Sequence, residues 1–142
     1  MSVSAILLPV FVQVALTFAV LVYLGRQRFV AVRGNALNGD PTIDDSAWPA
    51  AVRQAGNNFR NQFEMPVLFY VLVVLALATR KADLVFVILS WVFVLSRLFH
   101  TVVHVTSNDI KLRFPAYAVG VAVLAVMWVM FALAILLAPV LP

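Results

Sequence analysis

The chain has 142 residues, 64% of them hydrophobic, a mean hydropathy of +1.03, ten Lys and Arg against six Asp and Glu, and no cysteine. This is more apolar surface than a soluble domain of that length can hide, so the protein is integral to a membrane. The lack of cysteine excludes disulfides, thiolate metal sites and a protein thiol nucleophile, and any thiol chemistry has to arrive with a ligand.

Four apolar stretches, residues 6–24, 63–79, 84–105 and 114–138, come close to or exceed the roughly 20 residues a bilayer requires. They predict one all-α membrane domain over residues 1–142, a four-transmembrane-helix bundle with helices at about 4–32, 47–79, 84–106 and 109–139. Met1, Ser2, Val3 and Ser4 offer no positive n-region, and no small-residue cleavage site stands out after the first run, which is therefore read as a retained span. Residues 25–47 hold three of the five glycines with a run of Asn, Asp and Pro, and read as one true loop. Asp45 or Ser46 can cap the second helix, with Pro49 in its first turn. Arg80, Lys81, Ala82 and Asp83 form a tight turn that makes helices 2 and 3 an antiparallel hairpin. Ser107, Asn108 and Asp109 do the same for helices 3 and 4.

The net charge of +4 sorts by connection rather than marking a nucleic-acid partner. Arg26, Arg28, Arg33 and Arg53 belong to the first connection, Lys111 and Arg113 to the third, and only Arg80 and Lys81 to the second. By the positive-inside rule the first and third connections are cytoplasmic and both termini lie outside.

Ionisable residues also stand inside or beside the apolar runs, where each costs at least a few kcal/mol and usually marks a working interior. On helix 2, Arg53, Asn57, Arg60, Asn61 and Glu64 fall at i, i+4, i+7, i+8 and i+11, one face of a helix. On helix 3, Arg97, His100, Thr101 and His104 form a second stripe, and Arg113 and Tyr117 share a face one turn apart on helix 4. At 1.5 Å per residue, Glu64 lies about 24 Å from Arg80, and Arg97 and His100 about 21 and 26 Å from Asp83, so the stripes meet at one level. Pro66 cannot donate to the Gln62 carbonyl and is expected to kink helix 2 just past Glu64, leaving a free acceptor. Plainer readings exist for each feature. Glu64 and Arg97 can form a purely structural ion pair, and the two histidines a metal or haem site, although no third ligand is evident beyond Glu64. The first-connection arginines can serve as headgroup anchors, and Gln13 and Thr17 can bond across helices.

Arg60-Asn61-x-x-Glu64 before a proline and an apolar span, Arg97-x-x-His100-Thr101 on helix 3, and Arg113-x-x-x-Tyr117 opening helix 4 together resemble the MAPEG superfamily, the membrane-associated proteins of eicosanoid and glutathione metabolism. The segment Gly25, Arg26, Gln27, Arg28 also fits. The resemblance is to a bacterial-type member. It implies a homotrimer of four-helix protomers in a bacterial inner membrane, in contact with lipid, with glutathione as co-substrate bound between subunits near the cytoplasmic face. It assigns glutathione contacts to Arg28, Arg60, Asn61, Glu64, His100, Arg113 and Tyr117, with Arg113 stabilising the thiolate. Arg113 and Tyr117 are thus the candidate catalytic pair. Arg53, Asn57, Arg97 and His104 join the candidate ligand-binding set, and no metal is assigned. Glutathione has two carboxylates and one ammonium, and an arginine-rich cluster with one Glu is the complementary set. Asn57 stands where family members that use glutathione commonly have Arg, His104 where a Tyr is frequent, and Phe114 where a hydroxyl can occur.

Two functions follow. One is a glutathione-dependent transferase or peroxidase acting on hydrophobic electrophiles or lipid hydroperoxides, which Arg113 and Tyr117 favour. The other is a non-catalytic lipid-binding or scaffold protein, which Asn57 and Phe114 favour. The topology is directly testable in this cysteine-free background: a single cysteine at residue 40 should be labelled only from the cytoplasmic side, and labelling only by outside reagent would reverse the orientation.

Overall fold

A computed structural model describes residues 1–138. It is all-helical: α1 (Val3–Arg33), α2 (Ala50–Asn61), α3 (Met65–Ala78), α4 (Leu84–Val105) and α5 (Ile110–Leu136), with a short 3-10 turn at Asp45–Ala47. Taking α2 and α3 together as Ala50–Ala78, four segments are long and apolar enough to cross a membrane, so the protein is a multi-pass membrane bundle. The predicted end of the last helix at residue 139 lies outside the described residues.

Each helix starts and stops for local reasons. Ser2 accepts from the Ala5 N–H at 3.3 Å to open α1. Asp83 accepts from Phe86 N at 2.8 Å to open α4, and Asp109 from Lys111 N at 2.9 Å to open α5. Asn35, Arg80 and Asn108, just past the ends of α1, α3 and α4, have φ of 49°, 56° and 51°. After α1 and α3 this left-handed step lets Ala36 and Lys81 donate back to the carbonyls of Ala31 and Ala76, and at α4 Asn108 N itself donates to Val103 O. α1 is about 46 Å long at 1.5 Å per residue and so outruns a hydrocarbon core of roughly 30 Å. Its arginine-bearing last turns project beyond the bilayer.

Two expectations about the second helix are corrected. It begins at Ala50, not at residue 47, because Asp44 spends its carboxylate on Ser46 and shapes the Asp45–Ala47 turn, leaving Pro49 as the residue that precedes the helix. The Ser46 hydroxyl and N–H hold the Asp44 carboxyl below the usual carboxylate range, as those of Thr42 do for Asp40. Nor is the helix merely kinked past Glu64. Its last turn tightens, with Gln62 N donating to Phe59 O and Phe63 N to Arg60 O, and Glu64 leaves helical geometry at φ −85°, ψ −92°. Pro66 has no N–H to continue the ladder and fits best in a helix's first turn; here, unlike at Pro9 and Pro115, the chain stops one helix and starts another around it.

α4 is the centre of the bundle: 44% of its spanning window is buried, against 17% for α5 and 22% for α1. Phe69, Leu72, Val73 and Ala76 of α3 pack on Phe86, Val87, Phe93 and Val94 of α4 and on Leu124 and Met127 of α5, with the Phe69 and Phe93 rings 4.8 Å apart. A smaller cluster of Leu24 and Ala31 from α1 with Val52 and Ala55 seats α2 on the extension of α1. The described outward faces stay apolar, as at Phe18, Val74, Leu95 and Val129, which suits lipid.

Gly120 sets the approach of α5 to α4. A Cβ there would stand 2.7 Å from Ser96 Oγ and 3.7 Å from Arg97 Cδ. Gly120→Ala should destabilise the bundle by about 1–3 kcal/mol through overpacking, and adding Ser96→Ala should restore most of it. An unchanged melting temperature for the single variant in mild detergent would contradict this account of the contact.

Candidate functional site

The site grows out of the α2–α3 break. A continuous helix would aim Met65 N at the Asn61 carbonyl. With the helix ended, that carbonyl accepts instead from Arg97 Nη2 at 2.9 Å. The structural Glu64–Arg97 ion pair, the plainer reading of those two residues, does not form. Among the described residues the one ion pair within 4.0 Å joins Arg60 to Asp45, and it is the Asn61 carbonyl, not that of Gln62, that Arg97 takes. Arg97 is only 1% exposed. Its guanidinium carbon lies 5.6 Å from the centre of the Tyr117 ring, while Nε and Nη1 have no hydrogen-bond partner among the described residues.

Gln62, beside the break, turns inward. It accepts from Gln13 Nε2 at 3.1 Å and donates to Thr101 Oγ1 at 3.1 Å, so α1, α2 and α4 meet in one buried polar knot that also contains Asn58. Gln13 thus bonds across helices, while the Thr17 hydroxyl donates to the Gln13 carbonyl of its own helix. Gln62 and Asn58 escape a sequence reading because their partners lie on other helices. The spacing of four between them, on the face next to that of Asn57 and Asn61, was the available signal.

His100 is fixed at both nitrogens. Nδ1 lies 3.1 Å from the Arg113 carbonyl oxygen, which can only accept, so Nδ1 carries the proton and Nε2 is left to accept from Asn61 Nδ2 at 3.5 Å. Its ring centre is 5.7 Å from that of Tyr117 and 5.6 Å from that of His104. Tyr117 therefore packs against both a buried imidazole and a buried guanidinium of α4. The His104 carbonyl accepts from Gln54 Nε2, and the Arg113 guanidinium donates to Asn108 Oδ1. Gln54 and Asn108 are two further polar residues at the site that the residue pattern did not single out.

Three clefts at this end of the bundle collect the predicted residues. Asn61, Glu64, His100, Arg113, Phe114 and Tyr117 line the first, of about 210 Å³, between the break and α5 with α4 as its floor. Arg53, Gln54, Asn57, His104, Asn108 and Arg113 line the second, of about 390 Å³. Arg28, Asp45, Trp48, Arg53, Asn57 and Arg60 line the third, of about 140 Å³, between α1 and α2, where Arg28 stacks 5.3 Å over the Trp48 ring. Arg113 is common to the first two clefts, and Arg53 and Asn57 to the last two. Arg97 alone of the predicted set lines none of them and sits behind Tyr117. No described residue lines both the Glu64 cleft and the Arg28 cleft.

These features define a class: a multi-pass four-helix membrane protein with an arginine-rich polar groove at one end of an otherwise apolar bundle. The model of the MAPEG family matches residues 6–133, and the chain belongs to that family. No curated protein and no solved structure matches the sequence.

Proposed function

We propose that the protein is a glutathione-dependent transferase or peroxidase that joins a water-borne thiol to a hydrophobic electrophile or lipid hydroperoxide from the bilayer, working as a homotrimer with the groove on the cytoplasmic side. The observation that carries this reading is the cleft in which Glu64, His100, Arg113 and Tyr117 face one another beside a bilayer-facing surface. Its donor set fits the tripeptide. Glu64, exposed and without an ion-pair partner among the described residues, suits an ammonium, while Arg28, Arg53, Arg60 and Arg113 offer planar donors to two carboxylates. Family membership supports the same chemistry.

In this reading Arg113 is the thiolate-stabilising cation. A cation within about 4–6 Å lowers an acid's pKa by roughly 1–3 units, and two units correspond to about 2.7 kcal/mol. The thiol proton passes to water, and the sulfur forms its new bond to the electrophilic atom as the leaving group departs. Tyr117 has its ring against Arg97 and His100, and its hydroxyl, with no hydrogen-bond partner among the described residues, meets the sulfur. The trimer rests on the separation of the clefts: a neighbouring copy that set its Arg28 cleft against the Glu64 cleft would make one site of the two and cover the exposed polar face of α2.

The second reading, a non-catalytic lipid-binding or scaffold protein, draws on Arg60 being paired with Asp45 and Arg113 with Asn108, contacts that order the chain without any ligand. Glutathione at about a hundred times its dissociation constant should stabilise the purified protein by roughly 2.7 kcal/mol. Arg113→Ala should keep most of that stabilisation but lose the ultraviolet thiolate absorbance and turnover of a generic electrophile. Turnover unchanged in the variant would sink the mechanism, and no stabilisation of the wild type would favour the scaffold. Native mass spectrometry from mild detergent should give trimers; monomers or dimers alone would count against the shared site.

A further inference from the structure

Arg113 is held at both ends, and only one of the holds comes from the helix stripes. Its backbone carbonyl is fixed by His100 Nδ1 at 3.1 Å, and its guanidinium by Asn108, which stands in the α4–α5 turn. That turn is itself rigidly tied. Asn108 N donates to Val103 O at 2.8 Å, its φ of 51° is one that Asn tolerates better than most residues, and Asp109 next to it caps α5 at Lys111 N. The side-chain oxygen of Asn108 is thereby aimed back over the first turn of α5.

Arg113 borders two clefts, one lined by Arg53, Asn57 and His104 and the other by Glu64, His100 and Tyr117. A long flexible side chain at such a partition can send its charge into either. The amide oxygen of Asn108 occupies a donor on Nη1 and leaves the remaining guanidinium donors for a ligand. Because the amide is neutral, it fixes the guanidinium without cancelling its charge. We infer that Asn108 is a positioning residue, which fixes the place in the groove at which Arg113 presents its charge to a ligand. The catalytic consequence rests on the glutathione reading above, whereas the contact itself does not.

Asn108→Gly removes the amide while keeping a residue that accepts positive φ, so the turn survives. Asn108→Asp keeps the acceptor but adds a negative charge beside the guanidinium. In lipid nanodiscs without ligand, the Nε–H resonance of Arg113 in arginine-labelled protein, assigned by its loss in Arg113→Lys, should show a fall in order in Asn108→Gly and regain it in Asn108→Asp. With glutathione and a generic electrophile, Asn108→Gly should lower kcat by about ten- to a hundredfold, the scale set by a roughly 1 Å misplacement, with KM for glutathione near the wild-type value. Asn108→Asp should move the pH–rate midpoint upward, because its carboxylate opposes the help Arg113 gives to the thiolate.

An unchanged Arg113 resonance in Asn108→Gly overturns the inference whatever the activity. A loss of order with kcat unchanged also overturns it, since the charge would then act wherever it lies. A loss of order in a wild-type background that neither binds nor turns over glutathione upholds the positioning contact and rejects the glutathione reading instead.

Discussion

The bond from the Arg97 guanidinium to the Asn61 carbonyl is the constraint around which the rest is arranged. A guanidinium that is 1% exposed within a membrane bundle faces a desolvation cost of several kcal/mol, and a backbone carbonyl freed where a helix stops is the acceptor it finds. Pro66 supplies that stop by withholding an N–H, and the tightened turn at Gln62 and Phe63 turns Gln62 inward to join Gln13 and Thr101. The face of Tyr117 adds attraction for the cation. One interruption of the hydrogen-bond ladder therefore seats the buried charge, ties α1, α2 and α4 together, and leaves Glu64 at the mouth of a cleft.

The placement of α4 follows from the same economy. A helix that carries Arg97, His100, Thr101 and His104 on one face cannot offer that face to lipid, and α4 is the most enclosed span. Its partners divide the work by chemistry. α5, with α1 and α3, gives it aromatic and branched apolar contacts over one half of its length, and α2 with the first turn of α5 gives it amides and carbonyls over the other. α2, polar on one side and packed through Val52 and Ala55 on the other, resembles a helix of a soluble protein attached to a membrane bundle.

The spans and the stripes on α2, α4 and α5 were legible in the sequence because both rest on periodicity, and a period of 3.6 survives any detail of tertiary packing. The charge of Arg97 also pointed inward from sequence alone, since lipid offers it no partner. Its actual partner did not follow, because level along a helix says nothing about rotation: ending α2 at Asn61 swings Glu64 outward and presents a carbonyl in its place. The Gln62 side chain drew no reading because Gln13, its partner, is remote in the chain. Asn108 read as turn punctuation, and its amide acquires a role only when the cap at Asp109 folds the first turn of α5 back over it. Backbone groups released by a helix end leave no trace in a residue pattern, and the Asn61 and His104 carbonyls are two such groups that this site uses.

The length of α3 carries a consequence for the lipid around it. Fourteen residues rise about 21 Å, against roughly 30 Å of hydrocarbon in an average bilayer, while the 22 residues of α4 rise about 33 Å. α3 alone is thus shorter than the hydrocarbon thickness that α4 matches, and the span on that side is completed only by α2. Lipid beside α3 has to compress or tilt its chains, or admit headgroups and water down to the level of Glu64. The bundle in this way pinches the membrane on one flank, and the thickness of the host bilayer sets how deep the aqueous boundary reaches along α2.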